Sequence, residues 1–402
     1  MDVVLQMMAK ELGMDFLDFQ RKIFTPDYHI QESTQRPMSS PTSLRAALEK
    51  AAEEIDYENK VANNGTTLPD GRLYGIGIHG HYDRHGQTGT GRGVIIQPRR
   101  DGTFLVLLGC SYYHGTPIAV CHVIAEELGV DRKAVQIGDV SNPDTSLDGG
   151  SQAGSRAVCS NSTAAIMACR QIKDWAFPWV AEELGVPVEN LDVGDGAIFD
   201  KTNPSNSITW ADVGNNPDPW PFAAVGQSWG ENLQIPISGP MGDFPVGARA
   251  FHREGVAGAY EVAVDPETGE VEVLSMVNVC DAGRVLDRFS AEGQINSGFW
   301  VQASMKGTHW NVFHDPGTGT LLSQTMLDDK MPTSMDLDET KNNPQLIETI
   351  SHVGPYGAHG IGEPAATANS VAYITAVGNA IGKIIEERPI PPRRILQLLG
   401  KA

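Results

Sequence analysis

The stretch Tyr356-Gly357-Ala358-His359-Gly360-Ile361-Gly362-Glu363-Pro364-Ala365 constrains the fold more than any other part of the chain. Gly357, Gly360 and Gly362 surround one carboxylate, and Pro364 follows it at once. Glycine lets backbone approach a ligand or a neighbouring segment closely. Pro364 fixes its own φ and disfavours helix at Glu363. Residues 366–381 are then apolar nearly all round, which predicts a buried helix with Glu363 held at its mouth. A carboxylate placed there is either neutralised by a partner or poised for proton transfer. The plainer reading is a tight turn in which Glu363 caps the helix electrostatically.

At 402 residues the chain is long enough for two or three domains with sizeable cores. Its formal net charge of −20 opposes a phosphate backbone and an anionic membrane surface, so neither nucleic acid nor membrane is an expected partner. Cys110, Cys121, Cys159, Cys169 and Cys280 include no Cys-x-x-Cys pair, so neither an iron–sulfur site nor a structural zinc site is signalled. That sparse, odd set fits a reducing compartment. Residues 1–6 lack a basic region followed by an apolar core, and no run reaches the roughly 18 apolar residues of a span. A cytoplasmic location is expected.

Periodicity predicts an α+β chain of mixed sheets with packed helices. Residues 1–68 read as an N-terminal helical segment: one or two amphipathic helices over 2–24, with a break at Gly13, and another over 43–60. Residues 69–184 read as an α+β part. Strands are expected near 73–81, 93–98, 103–108 and 133–138, and helices over 116–129 and 163–184. Residues 185–250 cluster Pro, Asn and Gly and read as an irregular surface insertion. Residues 251–402 read as a second α+β part. It holds a hairpin (258–264 with 271–279), a helix over 293–310, the Glu363 loop with its helix, and a tail helix over 392–400.

Three further constellations carry chemistry. His79-Gly80-His81-Tyr82-Asp83-Arg84-His85 places imidazole and carboxylate at alternating positions, the ligand types of a zinc or dizinc hydrolase. The familiar dizinc pattern, however, sets the last His directly after the Asp, and Arg84 intervenes here. The alternation also suits residues that line a pocket. The Gly-rich loop Asp148-Gly149-Gly150-Ser151-Gln152-Ala153-Gly154-Ser155-Arg156 precedes a helix, where backbone N–H groups bind anions. It matches neither a P-loop nor a dinucleotide fingerprint, and a flexible loop with Ser155 as helix cap stands equally. No Gly-x-Ser-x-Gly surrounds Ser151 or Ser155, which disfavours a serine nucleophile. Gln294, near a helix start, would offer an amide to a ligand, unless 280–295 is an ordinary strand–turn–helix connection.

Together and in this order, these segments resemble the molybdenum-cofactor subunit of the xanthine dehydrogenase and aldehyde oxidoreductase family, the molybdenum hydroxylases. The resemblance runs from Leu5–Asp15 through Ala125–Val130 and Gly154-Ser155-Arg156. It continues through Asp281-Ala282-Gly283-Arg284, Glu292-Gly293-Gln294, Met331-Pro332-Thr333, Gly360–Pro364 and Val377–Ile381. It implies that Glu363 is the base beside the metal and that Gln294 contacts the pterin. Gln152, Gly154 and Ser155 then fall in the pterin- and phosphate-binding loop, and Gly362 beside the base. His79, His81 and Tyr82 fall on a strand bordering the substrate pocket. Relatives carry Gly-Gln-Gly where this chain reads Tyr113-His114-Gly115, so His114 and Gly115 stand at a cofactor contact with His114 as a substitute donor.

Only the C-terminal half of such a subunit is resembled. The implied arrangement is a split subunit of the nicotinate dehydrogenase type, in which the N-terminal half is a separate partner. The cofactor would be molybdopterin with Mo, with a cytosine dinucleotide form open. Protein side chains would not ligate the metal directly, and 2Fe-2S and FAD (if present) would reside on an iron–sulfur subunit and a flavin subunit. The expected reaction oxidises an N-heterocycle or aldehyde with water as oxygen source and Glu363 as general base. Reductive dehydroxylation of an aromatic CoA thioester, as in hydroxybenzoyl-CoA reductases, is the alternative within the family. A non-catalytic assembly subunit, or a hydrolase built on His79, His81, Asp83 and His85, is the alternative from other classes.

Overall fold

The computed structural model describes residues 2–24, 30–31, 36–37, 42–85, 92–109, 115–138, 142, 144–147, 149, 154–216, 223–228, 252–304, 313–325, 338–349, 351 and 354–401. Helices and mixed sheets alternate along them, an α+β architecture. The N-terminal part holds α1 (Asp2–Glu11), α2 (Phe16–Ile23), the short strands β1 (Ile30–Gln31) and β2 (Arg36–Pro37), α3 (Ser43–Ile55) and α4 (Tyr57–Lys60). Then come β3 (Leu73–His85), β4 (Arg92–Pro98), β5 (Phe104–Leu108), α5 (Thr116–Leu128), β6 (Val135–Ile137) and α6 (Ala157–Leu184). The middle holds β7 (Leu191–Gly194), β8 (Ala197–Asp200), β9 (Asn203–Thr209), α7 (Trp210–Gly214) and β10 (Ala224–Ser228). The last part holds β11 (His252–Val264), β12 (Val271–Asp281), α8 (Arg288–Ser304), β13 (Asn342–Ile347), α9 (Pro364–Ile381) and α10 (Pro392–Leu398).

One sheet, in the order β13-β12-β11-β3, carries the site. Its centre is the β11–β12 hairpin, closed by a turn in which Asp265 Oδ1 accepts the N–H groups of Glu267 and Thr268. β3 runs antiparallel to β11 in register from Leu73↔Val264 to His85↔His252. Gly alternates with larger residues at the start of β3 because α9 lies directly on that face. A Cβ at Gly75 would sit 2.2 Å from the Ala376 carbonyl, and one at Gly77 2.4 Å from the Ala376 nitrogen. Ile76, Ile78, Ala257 and Ala259 point the other way, onto Ala47, Leu48 and Ala51 of α3. The sheet is thus covered on both faces, and α9 is apolar all round because it buries Tyr373, Ala376, Val377 and Ala380 among strands and the tail helix.

A second sheet, β10-β4-β5-β6, packs Val94, Ile96, Phe104 and Val106 against Val120, Ile124 and Leu128 of α5 and Ala165, Ala168 and Ile172 of α6. The Pro/Asn/Gly-rich middle of the chain is more ordered than its composition implies. Residues 191–209 form the antiparallel sheet β7-β8-β9. Ile198 and Trp210 are buried beneath it, with Trp210 Nε1 donating to the Leu128 carbonyl at 2.8 Å. β10 pairs with β4. Few apolar residues are needed there because the core behind them comes from α5 and α6. Residues 217–222 and 229–250 lie outside the described residues. Two helix bounds also differ from expectation. α6 starts at Ala157, because the polar run Ser160-Asn161-Ser162 is buried as helix rather than exposed as loop, and α8 starts at Arg288. Among the described residues no helix is long and apolar enough to cross a membrane.

Candidate cofactor and catalytic site

The Glu363 loop is held at both ends. Upstream, Gly354, Tyr356 and Gly357 adopt positive φ, and Ala358 bridges to Gly283 at the end of β12. The N–H of His359 donates to the Ala282 carbonyl and the N–H of Arg284 donates to the Gly357 carbonyl, each at 3.1 Å. Downstream, Gly360 lies against the start of α6, where a Cβ would stand 2.0 Å from the Ser155 carbonyl. The Glu363 N–H donates to Ser155 Oγ at 2.7 Å, and the Gly154 N–H donates to Glu363 Oε1 at 3.1 Å. Gly154 and Ser155 both take positive φ, so this turn presents its backbone and hydroxyl toward the loop.

Glu363 therefore does not cap its own helix: it occupies the position before Pro364, but its side chain makes no bond to the α9 N–H groups. The carboxylate is exposed, whereas Ala358, His359, Gly360 and Ile361 are buried. Among the described residues no donor reaches Glu363 Oε2.

These segments wall a cavity of about 590 Å³. Its lining comes from the start of α5 (Gly115, Thr116, Ala119), the start of α6 (Ser155, Ala157, Val158) and the turn after β12 (Ala282, Arg284–Asp287). α8 adds Ser290, Ala291, Gln294, Ser297 and Gly298, and the loop and α9 add Ala358–Glu363 and Ala366. Gly362 keeps the wall open: a Cβ there would sit 3.4 Å from both Gln294 Nε2 and Ser155 Oγ. Gly115 does the same opposite, where a Cβ would collide with the Ser290 side chain.

Glu363, Gln294, Ser155, Gly115 and Gly362 thus line one cavity, and Gly154 reaches it through its bond to Glu363. Gln152, His114 and the Met331-Pro332-Thr333 turn lie outside the described residues. His79, His81 and Tyr82 are on β3, outside this lining. His79 is buried with its ring between Phe16 and His81. Burial, then the neighbouring His81, pushes His79 down to about 3. Among the described residues no group of three or more His, Cys, Asp or Glu side chains is arranged to hold a metal ion, and the His85 side chain lies outside them.

Three groupings around the loop were not legible from residue order. Cys159 Sγ donates to the Ala358 carbonyl at 3.4 Å, and burial pushes its thiol up to about 12, so it is a neutral support beneath the loop. The Arg284 guanidinium lies 5.7 Å from the centre of the Tyr356 ring, and the Tyr356 hydroxyl donates to Glu127 Oε1 at 2.7 Å. His359 Nδ1 stands 2.5 Å from Glu254 Oε2, both side chains about 1% exposed.

Residues 50–338 match the molybdopterin cofactor-binding domain. The chain belongs to that family. It is similar to the aldehyde oxidoreductase molybdenum-binding subunit PaoC of Escherichia coli (strain K12), 25% identical over 98% of this chain and 51% of that protein. It is also similar to the nicotine 6-hydroxylase large subunit of Paenarthrobacter nicotinovorans, 23% identical over 97% of this chain and 49% of that one. Among solved structures, CO dehydrogenase from Oligotropha carboxidovorans superposes with a TM-score of 0.82 at 20% identity, over 98% of this chain and 50% of that chain. Quinoline 2-oxidoreductase from Pseudomonas putida 86 gives 0.81 at 20% identity, over 100% of this chain and 51% of that chain. The chain spans about half the length of these relatives.

The cavity suits the cofactor of the molybdopterin family. Gly362 leaves free the space that a Cβ would take between Gln294 and Ser155, and the Gln294 amide and the Ser155 hydroxyl are hydrogen-bonding groups of the kind a pterin edge engages. The carboxylates in its lining are Asp287 and Glu363. Gln294 and Ser155 would hold the pterin, with Glu363 at the wall beside it.

Proposed function

We propose that this chain forms the C-terminal half of the molybdopterin-binding part of a molybdenum hydroxylase that oxidises an N-heterocycle or an aldehyde, with water as the oxygen source. The observation that carries this reading is the placement of Glu363. Its backbone is tied to Ser155 and one carboxylate oxygen to Gly154, at the wall of the cavity that Gln294 also lines. The bound molybdenum centre supplies the two-electron acceptor. Glu363 would be the general base: the bond from Gly154 fixes the carboxylate plane, Oε2 would take the proton of the attacking hydroxyl as its oxygen bonds to the electrophilic carbon, and the C–H bond of that carbon would break with its electron pair passing as hydride to the acceptor. Such assistance contributes roughly 10²–10⁴-fold. Gln294 and the Gly154–Ser155 turn bind and orient, and the buried loop behind Glu363 holds its backbone still while the proton moves.

The similar proteins, an aldehyde oxidoreductase subunit and a nicotine 6-hydroxylase subunit, support the substrate class. The chain spans about half of each relative, and a second stretch of protein would complete the cofactor envelope. Electrons then leave through iron–sulfur and flavin partners. The test is to purify the native complex through this chain, identify the co-eluting chains, and measure molybdenum, iron and zinc. Stoichiometric molybdenum with iron-bearing partners is expected. A complex without molybdenum, or with stoichiometric zinc in its place, overturns the reading.

A further inference from the structure

The turn Gly354-Pro355-Tyr356-Gly357 opens the loop that ends at Glu363. Three of its residues, Gly354, Tyr356 and Gly357, take positive φ, Tyr356 at +54°. Glycine adopts such a conformation without penalty, whereas a bulky side chain stays there only where its contacts hold it. Among the described residues four non-glycine residues have positive φ, and two of them, Tyr356 and Ser155, hold the two ends of this loop.

The contacts that hold Tyr356 lie outside the cavity lining. Its hydroxyl donates to Glu127 Oε1 of α5 at 2.7 Å, across 229 residues of sequence. Lys173 Nζ of α6 donates to the other oxygen, Glu127 Oε2, at 2.9 Å. The Glu127 and Lys173 side chains are 14% and 24% exposed, so the carboxylate is fixed at both oxygens largely out of water, where charge-assisted bonds are strong. On the ring face, the Arg284 guanidinium stands 5.7 Å from the centre, and the Arg284 N–H donates to the Gly357 carbonyl at 3.1 Å. A phenylalanine ring would pack beneath Arg284 equally well. The hydroxyl adds a directed bond to α5, and through Lys173 to α6, the two helices whose first turns wall the cavity.

We propose that Tyr356 and Glu127 are positioning residues for Glu363: their bond, braced by Lys173, locks the turn that opens the loop and so fixes where the loop sets the carboxylate against the cavity. The loop is then pinned at three places. Tyr356 ties its start to α5, the His359 N–H ties its middle to the Ala282 carbonyl, and Ser155 ties its end to the turn before α6. None of the three ties uses the Glu363 carboxylate, which stays available to react.

This inference rests on Glu363 being the base, but its first test does not use turnover. Amide hydrogen exchange is followed by mass spectrometry on the purified complex for wild type, Y356F, E127L and E127Q. Peptides covering residues 354–363 should exchange about five- to tenfold faster in Y356F and E127L, the scale of one net hydrogen bond. E127Q keeps an oxygen that accepts from Tyr356 and should exchange close to wild type. Peptides from residues 371–381 of α9 should not change in any variant. Unchanged exchange over 354–363 in Y356F overturns the lock, and faster exchange throughout α9 as well shows a general loss of packing and overturns the positioning role. The second test is kinetic. Per bound molybdenum, Y356F and E127L should each lower kcat about tenfold with KM within about twofold of wild type. The double variant Y356F/E127L should be no worse than either single one, because both remove the same bond. Additive losses, or an unchanged kcat, overturn the proposal. Should E127L not assemble, Y356F decides alone. A loaded E363Q complex as active as wild type would instead sink the base assignment, while the exchange result still reports on the lock.

Discussion

Ser155 and Glu363 meet across 208 residues of sequence, with Ser155 Oγ accepting the Glu363 N–H at 2.7 Å. The bond joins the turn before α6 to the loop before α9, so the two Gly-rich segments act as one wall of the cavity. Ser155 sits in that turn with a φ of +49°, a conformation costly for a residue with a Cβ. The hydroxyl and the neighbouring Gly154 N–H are thereby aimed at the same residue from the same side.

Removing that hydroxyl should loosen the base without emptying the cavity. In S155A the Glu363 N–H loses its acceptor, at a cost of about 1 kcal/mol typical of one hydrogen bond. The expected kinetic result is a kcat lower by about tenfold, with KM changed much less and molybdenum retained, as when an interaction made mainly in the transition state is lost. Unchanged kcat in a fully loaded S155A complex would show that the tie to Ser155 does not position Glu363.

The close approach of α9 to β3 makes a stability prediction. A Cβ at Gly77 would lie 2.4 Å from the Ala376 nitrogen and 2.8 Å from the Ala372 carbonyl, all backbone, so the helix must move. G77A should destabilise by about 1–3 kcal/mol, the usual cost of overpacking. G293A is the control. That position in α8 has nothing within 4 Å of a Cβ, and alanine there should stabilise slightly, by about 0.5–1 kcal/mol. Denaturant midpoints of the two variants moving together would refute the packing account.

His79 predicts a loss of stability in acid. Its folded pKa of about 3 lies below the ordinary 6.5, so between these values the unfolded chain binds a proton that the folded chain does not. Its contribution is complete above 6.5 and declines as the pH falls toward 3. At about pH 5 the loss is on the order of 2 kcal/mol. His81 is lowered by burial too and adds in the same direction. H79F should flatten the fall in unfolding midpoint between about pH 7 and about pH 5. An equally steep fall in H79F would mean that His79 is not held neutral beneath α2.

Much of the site is legible in residue order. Gly360-Ile361-Gly362-Glu363-Pro364 announces a loop that other backbone must approach, and the long apolar stretch after it gives α9. Gln294 and Ser155 stand out as polar groups beside glycines. What residue order hides is which strands and turns meet. Nothing near Glu254 signals that β11 carries it under His359, because the pairing depends on the register of three strands and on a glycine at 283 that admits the ring. The same blindness explains β7–β9. Their Asn- and Ser-rich strands read as loop, because the apolar half of that core belongs to α5 and α6. The imidazole row on β3 alternates metal-ligand types that equally suit a pocket wall, whereas the fold turns His79 into a stack with Phe16.

Whether Glu363 is the base is tested most directly by E363Q, measured for molybdenum content and single-turnover rate on the same purified complex. Glutamine keeps the size and can still accept from Gly154, so the cofactor should remain at the wild-type level. The rate should drop by about 10²–10⁴-fold, the contribution of a positioned general base. A loaded E363Q complex that turns over within a few-fold of wild type would contradict the assignment of Glu363 as the base.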